Sequence, residues 1–188
     1  SSNEKWIDES PVLWYEKNVQ KLKRFLITFI ATAGGAGFAP KAPGTMGTLM
    51  AVPIALLTRG WKPEAFFGLF LCIFFAGWWA SLGWSRQAAE PDSQKIVIDE
   101  VLGYLVAVGM FPRTPAILFV QFLLFRLFDV VKPPPIRQLD RFGKRFPIGA
   151  WQSLGVILDD LIAGLFAWGV LFVILRFSPA ALRLTLSG

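Results

Sequence analysis

The sequence contains no histidine, and that absence removes phosphohistidine intermediates and imidazole acid–base catalysis from the chemistry open to it. Its single cysteine, Cys72, cannot form a disulfide within the chain, and no arginine is placed beside it to build a cysteine-phosphatase loop. It lies in the apolar run Leu71 to Phe75 and is expected as a buried thiol without a function. No Asp-x-Asp-x-Thr stretch offers an aspartyl-phosphate route, no Gly-Lys-Ser/Thr completes a Walker loop, and the Asp-x-x-Asp-Gly signature of phosphatidyl transfer is missing. Charge is scarce as well, at 17% of residues. The net charge of +6 is not arranged as a basic stripe with interleaved aromatics, so nucleic acid is not an expected partner.

Apolar side chain is what the sequence has in excess. In 188 residues, 54% are hydrophobic, with 18 Phe and 8 Trp, more than one small soluble core needs. Trp61, Trp78, Trp79, Trp84 and Trp151 fall near segment ends, where amphipathic rings suit a lipid headgroup boundary. Apolar runs lie at about 25–38, 46–58, 64–85, 97–111, 114–131 and 153–177. The third and last reach the roughly 20 residues that span a hydrocarbon core. No alternating strand pattern occurs, so the expected fold class is all-α: a polytopic membrane helical bundle with short or re-entrant segments near the N-terminus. Pro133, Pro134 and Pro135 stop the fifth run.

Three units follow: a polar N-terminal surface arm at 1–24 bearing Lys17, Lys21, Lys23 and Arg24, a membrane domain at 25–177, and a C-terminal tail at 178–188. No cleavable signal is expected ahead of the first apolar run. Alternating crossings put most of the 19 Lys and Arg on one side, among them Lys41, Lys95 and the Lys132–Arg145 loop. That side reads as cytoplasmic, and its cations attract anionic membrane lipids.

Carboxylates interrupt the apolar pattern at Asp99 and Glu100, at Asp129, and at Asp159 and Asp160. An ionised Asp at a helix centre in a bilayer costs roughly 2.5–3.5 kcal/mol, so four unpaired acids would cost about 10–14 kcal/mol, comparable with the whole net stability of a fold. Something must compensate. The two acid pairs share a pattern of three aliphatics, two acids, two aliphatics and a small residue. Gly103, Ala163 and Gly164 lie one turn after an acid on the same helix faces, where small residues let two helices approach and bring the pairs together. Carboxylates so gathered repel unless a hard cation sits among them, and Mg²⁺ takes oxygen ligands while keeping waters for chemistry. The bland alternative is that these acids end helices and reach headgroup water. Arg126 and Asp129, three apart on one face, either neutralise each other or present a carboxylate and a phosphate-binding cation together.

The stretch Gly34 to Thr48 is too rich in glycine and proline for a continuous helix. It is either a plain helix break or a place where backbone amides, Lys41, Thr45 and Thr48 meet an anion near the start of the next helix. With no histidine and no activated cysteine, the chemistry left is metal-activated water or a metal-bound substrate, with carboxylates moving protons. An ion-coupled transporter would also place carboxylates within apolar helices, and a scaffold would explain the hydropathy but not the acids.

The segments GGAGFAPKAPGTMGTL, DSQKIVIDEVLGY, FRLFDVVKPPPIRQLDR and GVILDDLIAG, in this order from about Phe25 to Phe177, resemble the phosphatidylglycerophosphatase A family. The likeness departs from the family pattern at Gln94 and Trp151. It implies a Mg²⁺-dependent lipid phosphatase of the bacterial inner (cytoplasmic) membrane, active on the cytoplasmic face, that converts phosphatidylglycerophosphate to phosphatidylglycerol. It matches Asp92, Asp99, Glu100, Asp129, Asp159 and Asp160 to the family's recurrent acids, and Thr45, Arg126, Lys132, Pro133, Arg137 and Asp140 to its polar and proline positions. The expected roles are metal ligation by Asp99, Glu100, Asp159 and Asp160, catalysis by Glu100, Asp160 and Asp129, and substrate binding by Lys41, Thr45, Thr48, Arg126, Lys132 and Arg137.

Overall fold

The computed structural model describes residues 11–88, 93–134, 136–143, 147 and 149–177, and among them every regular element is helical. The helices are α1 (Pro11–Ala31), α2 (Pro43–Leu57), α3 (Pro63–Ala88), α4 (Ile98–Val108), α5 (Pro115–Val131), α6 (Ile136–Gly143) and α7 (Ala150–Phe177), with one 3-10 turn at Ala36–Phe38. The all-α class is therefore as expected. Asp92, Lys144, Arg145, the side chain of Asp140, the first ten residues and the 178–188 tail lie outside the described residues.

Local chemistry sets the helix ends. Pro43, Pro63 and Pro115 each open a helix, where the missing amide costs nothing and φ is already suitable. Thr114 caps α5 by accepting a hydrogen bond from the Ile117 amide at 3.3 Å. At the other end Lys132 adopts the left-handed conformation, with φ 43° and ψ 67°, and Pro133 prevents continuation.

The short helix α4 is the centre of the bundle. Nine of its 11 residues are buried, and α2, α3, α5 and α7 pack around it. Its closest neighbour is α7, because both helices carry glycine at the crossing. A Cβ on Gly164 would collide with the Gly103 carbonyl, and one on Gly103 would fall 2.6 Å from the Asp160 carbonyl oxygen and from the Phe125 ring. This is the small-residue approach expected from the two acid motifs. Tyr104, wholly buried, donates its hydroxyl to the Leu118 carbonyl at 2.7 Å and meets Phe122 and Phe125 edge-on, locking α4 to α5.

The boundary drawn at residue 24 falls inside α1, which runs unbroken from Pro11 and buries only Ile27 and Ala31. The helices α3 and α7, at 26 and 28 residues, are long and apolar enough to cross a bilayer. Cys72 is exposed on α3, not buried as its apolar run suggested. The reason is general to the chain: it carries more apolar side chain than its interior accepts, and Phe67, Phe75 and Trp79 on the same helix also face outward. At the far end of α4 the guanidinium of Arg113 is buried over the Phe66 ring at 4.0 Å and bonds the Thr58 and Gly109 carbonyls. Those carbonyls close α2 and α4, so one cation meets the negative ends of two helices, while burial pulls its pKa below the usual range.

Candidate active site

Three helices bring their acids to one place. Asp99 and Glu100 stand in the first turn of α4, Asp129 near the end of α5, and Asp159 and Asp160 near the middle of α7. All five line a cavity of about 480 Å³ together with Arg126, Lys132, Ala42, Pro43, Gly44, Ser93 and Gln94. The acids do not simply reach water. Asp99, Asp159 and Asp160 are 6%, 3% and 5% exposed.

Asp99, Glu100 and Asp160 form the tightest group, each offering a carboxylate oxygen within 4.8 Å of the other two. Glu100 Oε2 is buried without a hydrogen-bond partner, and the Glu100 amide donates to Asp99 Oδ1 at 3.2 Å. A buried carboxylate oxygen without a hydrogen-bond partner beside two further acids gathers like charge at one point, and an all-oxygen donor set of this kind fits a hard divalent cation.

The remaining two acids are engaged differently. Arg126 Nη1 donates to Asp129 Oδ2 at 2.5 Å, the i,i+3 pair anticipated on α5. Lys132 Nζ donates to Asp159 Oδ2, joining the end of α5 to α7. Asp159, expected among metal ligands, thus contacts a lysine, while its neighbour Asp160 belongs to the trio.

Of the other expected substrate contacts, Arg126 and Lys132 line the cavity. Lys41 and Arg137 are exposed outside its wall, and Arg137 Nη2 donates to the Val131 carbonyl at 3.3 Å. Thr45 is half-buried beside the wall. Thr48 does not reach the cavity, because its fully buried hydroxyl donates to the Gly44 carbonyl at 2.9 Å within α2.

Sequence reasoning missed Gly44 as an individual residue. A Cβ there would collide with Glu100 Oε1 and lie 3.1 Å from Arg126 Nη1, so its hydrogen leaves the space in which an acid and a cation meet. Gly37 and Gly47 do the same against Lys95 and Val97. The glycine-rich stretch therefore serves as a close-fitting bed for residues 95–100, and only its Ala42–Gly44 corner opens onto the cavity. Glycine frequency marked the stretch; nothing local indicated which segment it would receive.

An all-helical bundle whose buried carboxylates share one cavity with two cations has the makings of a hydrolase for phosphorylated substrates. The chain matches the phosphatidylglycerophosphatase A family over residues 29–175 and belongs to that family. It is 33% identical over 170 residues to a Bacteroides thetaiotaomicron protein provisionally named a phosphatidylinositol-3-phosphatase, covering 84% of this chain and 98% of that protein. It is 29% identical over 147 residues to a phosphatidylglycerophosphatase A of Escherichia coli, covering 77% and 81%, and 28% identical over 150 residues to one of Haemophilus influenzae, covering 79% and 88%. No solved structure matches the chain.

Proposed function

We propose that the chain is a phosphatidylglycerophosphatase, a Mg²⁺-dependent phosphoric monoester hydrolase that converts phosphatidylglycerophosphate to phosphatidylglycerol and phosphate in phospholipid synthesis. The observation that carries this reading is the union, in one cavity, of a carboxylate trio suited to a hard cation with two cations suited to phosphate. Family membership supports the substrate, and the relatives' names share a lipid phosphomonoester as the reacting group.

Asp99, Glu100 and Asp160 would hold Mg²⁺, which when bound supplies Lewis-acid charge to the phosphoryl oxygens. Arg126 and Lys132 offer N–H donors to the remaining oxygens, the guanidinium as a planar fork and the ammonium as a point charge. Ala42 to Gly44 bring the positive end of α2 to the same cavity. Glu100 or Asp160 orients the attacking water and accepts its proton as the water oxygen bonds to phosphorus. The ester P–O bond breaks, and the released oxygen takes up the proton that this carboxyl group holds to become the phosphatidylglycerol hydroxyl. Lys41 and Arg137, outside the wall, hold anionic headgroups near the mouth.

We place the protein in the bacterial inner membrane as a polytopic bundle, with the cavity toward the cytoplasm. The lengths of α3 and α7 support this, as do the exposed apolar residues on α1, α5 and α7, among them Trp14, Phe25, Phe119, Leu127, Phe172 and Phe177. The transporter alternative gains nothing from relatives all named as phosphatases. The decisive assay is phosphate release by the purified protein from phosphatidylglycerophosphate, with phosphatidylinositol 3-phosphate as competitor, in Mg²⁺ and in excess chelator. Release confined to Mg²⁺ supports the reading. Full turnover in chelator removes the metal, and no turnover under either condition removes the function. Orientation is tested by labelling single cysteines at Lys41, Lys95 and Arg137 in a chain with Cys72 replaced; labelling from outside intact cells overturns the cytoplasmic placement.

A further inference from the structure

The five carboxylates of the cavity are used in two ways. Asp99, Glu100 and Asp160 converge on one another, whereas Asp129 and Asp159, which face the same cavity, each also hold a cation. Asp159 and Asp160 are consecutive on α7, so their side chains leave the helix about 100° apart. One carboxylate goes to Lys132 and the other to the trio.

Lys132 is an unusual residue for its backbone. It caps the end of α5 in the left-handed region, where glycine is the favoured residue and a side chain adds strain. Strain of this kind persists where the surroundings or the function require the side chain. Here the side chain turns back to the cavity and meets Asp159 Oδ2 on a different helix. Arg126, six residues earlier and within α5 itself, is bonded to Asp129 on the same helix.

We propose that Asp159 and Asp129 are positioning residues, holding Lys132 and Arg126 where the substrate phosphate binds, and that cation binding is left to Asp99, Glu100 and Asp160. The proposal rests on the phosphomonoesterase reading above and assigns separate carboxylates to the two halves of that site. Without Asp159 the lysine keeps its charge but loses its fixed place, so phosphate binding weakens while the trio still takes its cation.

The test uses the purified full chain in detergent and two readouts: the thermal shift produced by Mg²⁺ alone, and kcat and KM on phosphatidylglycerophosphate. Asp160→Asn should lose the Mg²⁺ shift. Asp159→Asn should keep most of it and raise KM about tenfold, the loss expected for one charge-assisted contact. Adding Lys132→Met to Asp159→Asn should cost little more, because the two act as one unit. Lys132→Gly should raise KM by a similar factor and, because it relieves the left-handed backbone while leaving Asp159 unpaired, should lose less metal-free thermal stability than Lys132→Met, which keeps that strain; a merely structural lysine would lose stability without the rise in KM. Loss of the Mg²⁺ shift in Asp159→Asn makes Asp159 a ligand and overturns the proposal. So does an unchanged KM in Lys132→Gly, which also decides the matter if Asp159→Asn does not fold. A wild-type protein that releases no phosphate defeats the functional reading instead; the Mg²⁺ shifts then still separate Asp159 from Asp160, and a shift by inorganic phosphate that Lys132→Gly abolishes, or fails to abolish, decides the role of the lysine.

Discussion

The two acid pairs, Asp99–Glu100 on α4 and Asp159–Asp160 on α7, have nearly the same sequence surroundings and are held in different ways. The first pair rests on fit: Gly37, Gly44 and Gly47 admit residues 95–100 so closely that a methyl group at any of the three would collide. Both of its acids enter the trio. The second pair is divided, with Asp160 in the trio and Asp159 bound to Lys132. A shared local pattern thus fixes where acids stand on a helix but not what they do, because the neighbours come from distant parts of the chain. Variants that disturb fit should behave differently from variants that disturb charge.

The largest effect is expected where the two pairs are joined. In Gly164→Val the added side chain meets the Gly103 carbonyl, which is backbone and cannot move aside within a packed helix. Overpacking of a core costs about 1–3 kcal/mol and more when backbone must shift. Loss of a cooperative thermal transition and of all turnover is the expected outcome. A variant that folds with wild-type stability would show that the helices do not cross at this point.

Gly44→Ala should be milder and more local, since the new methyl group meets the ends of two flexible side chains, Glu100 Oε1 and Arg126 Nη1. Displacing one acid and one cation by about 1 Å is enough to cost on the order of 10²-fold in rate. Turnover should fall to that extent while thermal stability changes by less than about 1 kcal/mol. Equal losses of stability and activity would mean that Gly44 serves only packing.

Asp160→Asn and Asp129→Asn then contrast charge crowding with charge pairing. In the metal-free protein, neutralising Asp160 relieves repulsion among three acids, so stability should hold or rise. Neutralising Asp129 leaves Arg126 without its carboxylate and should cost about 1–3 kcal/mol. Chemical or thermal unfolding without Mg²⁺ measures both. If Asp160→Asn is the less stable of the two, the trio is not a cluster of mutually repelling acids.

The acids, their helices and their meeting were legible in the sequence because ionised groups in apolar helices are costly and glycine one turn away signals a close crossing. The Arg126–Asp129 pair was legible because i,i+3 neighbours must meet on a helix. The Lys132–Asp159 contact was not, because it joins residues 27 positions apart and depends on a left-handed backbone at a lysine. Cys72 was misplaced for a related reason: an apolar run does not say which of its residues the bundle buries and which it turns outward.

Thr48→Val carries the smallest expected effect and tests the packing side of the comparison. Thr48 was a candidate for substrate binding, yet its hydroxyl is fully buried and donates to the carbonyl of Gly44, the glycine on which Glu100 rests. Valine keeps the branched shape and removes only that hydroxyl. The hydrogen bond is worth about 0.5–1.5 kcal/mol at most, and the carbonyl retains the α-helix as a source of a second donor. A stability loss of no more than about 1 kcal/mol with unchanged KM and Mg²⁺ response is therefore expected from unfolding and steady-state kinetics. A rise in KM without loss of stability would instead mean that the Thr48 hydroxyl turns to the substrate during turnover, and the first acid pair would then be supported by more than fit.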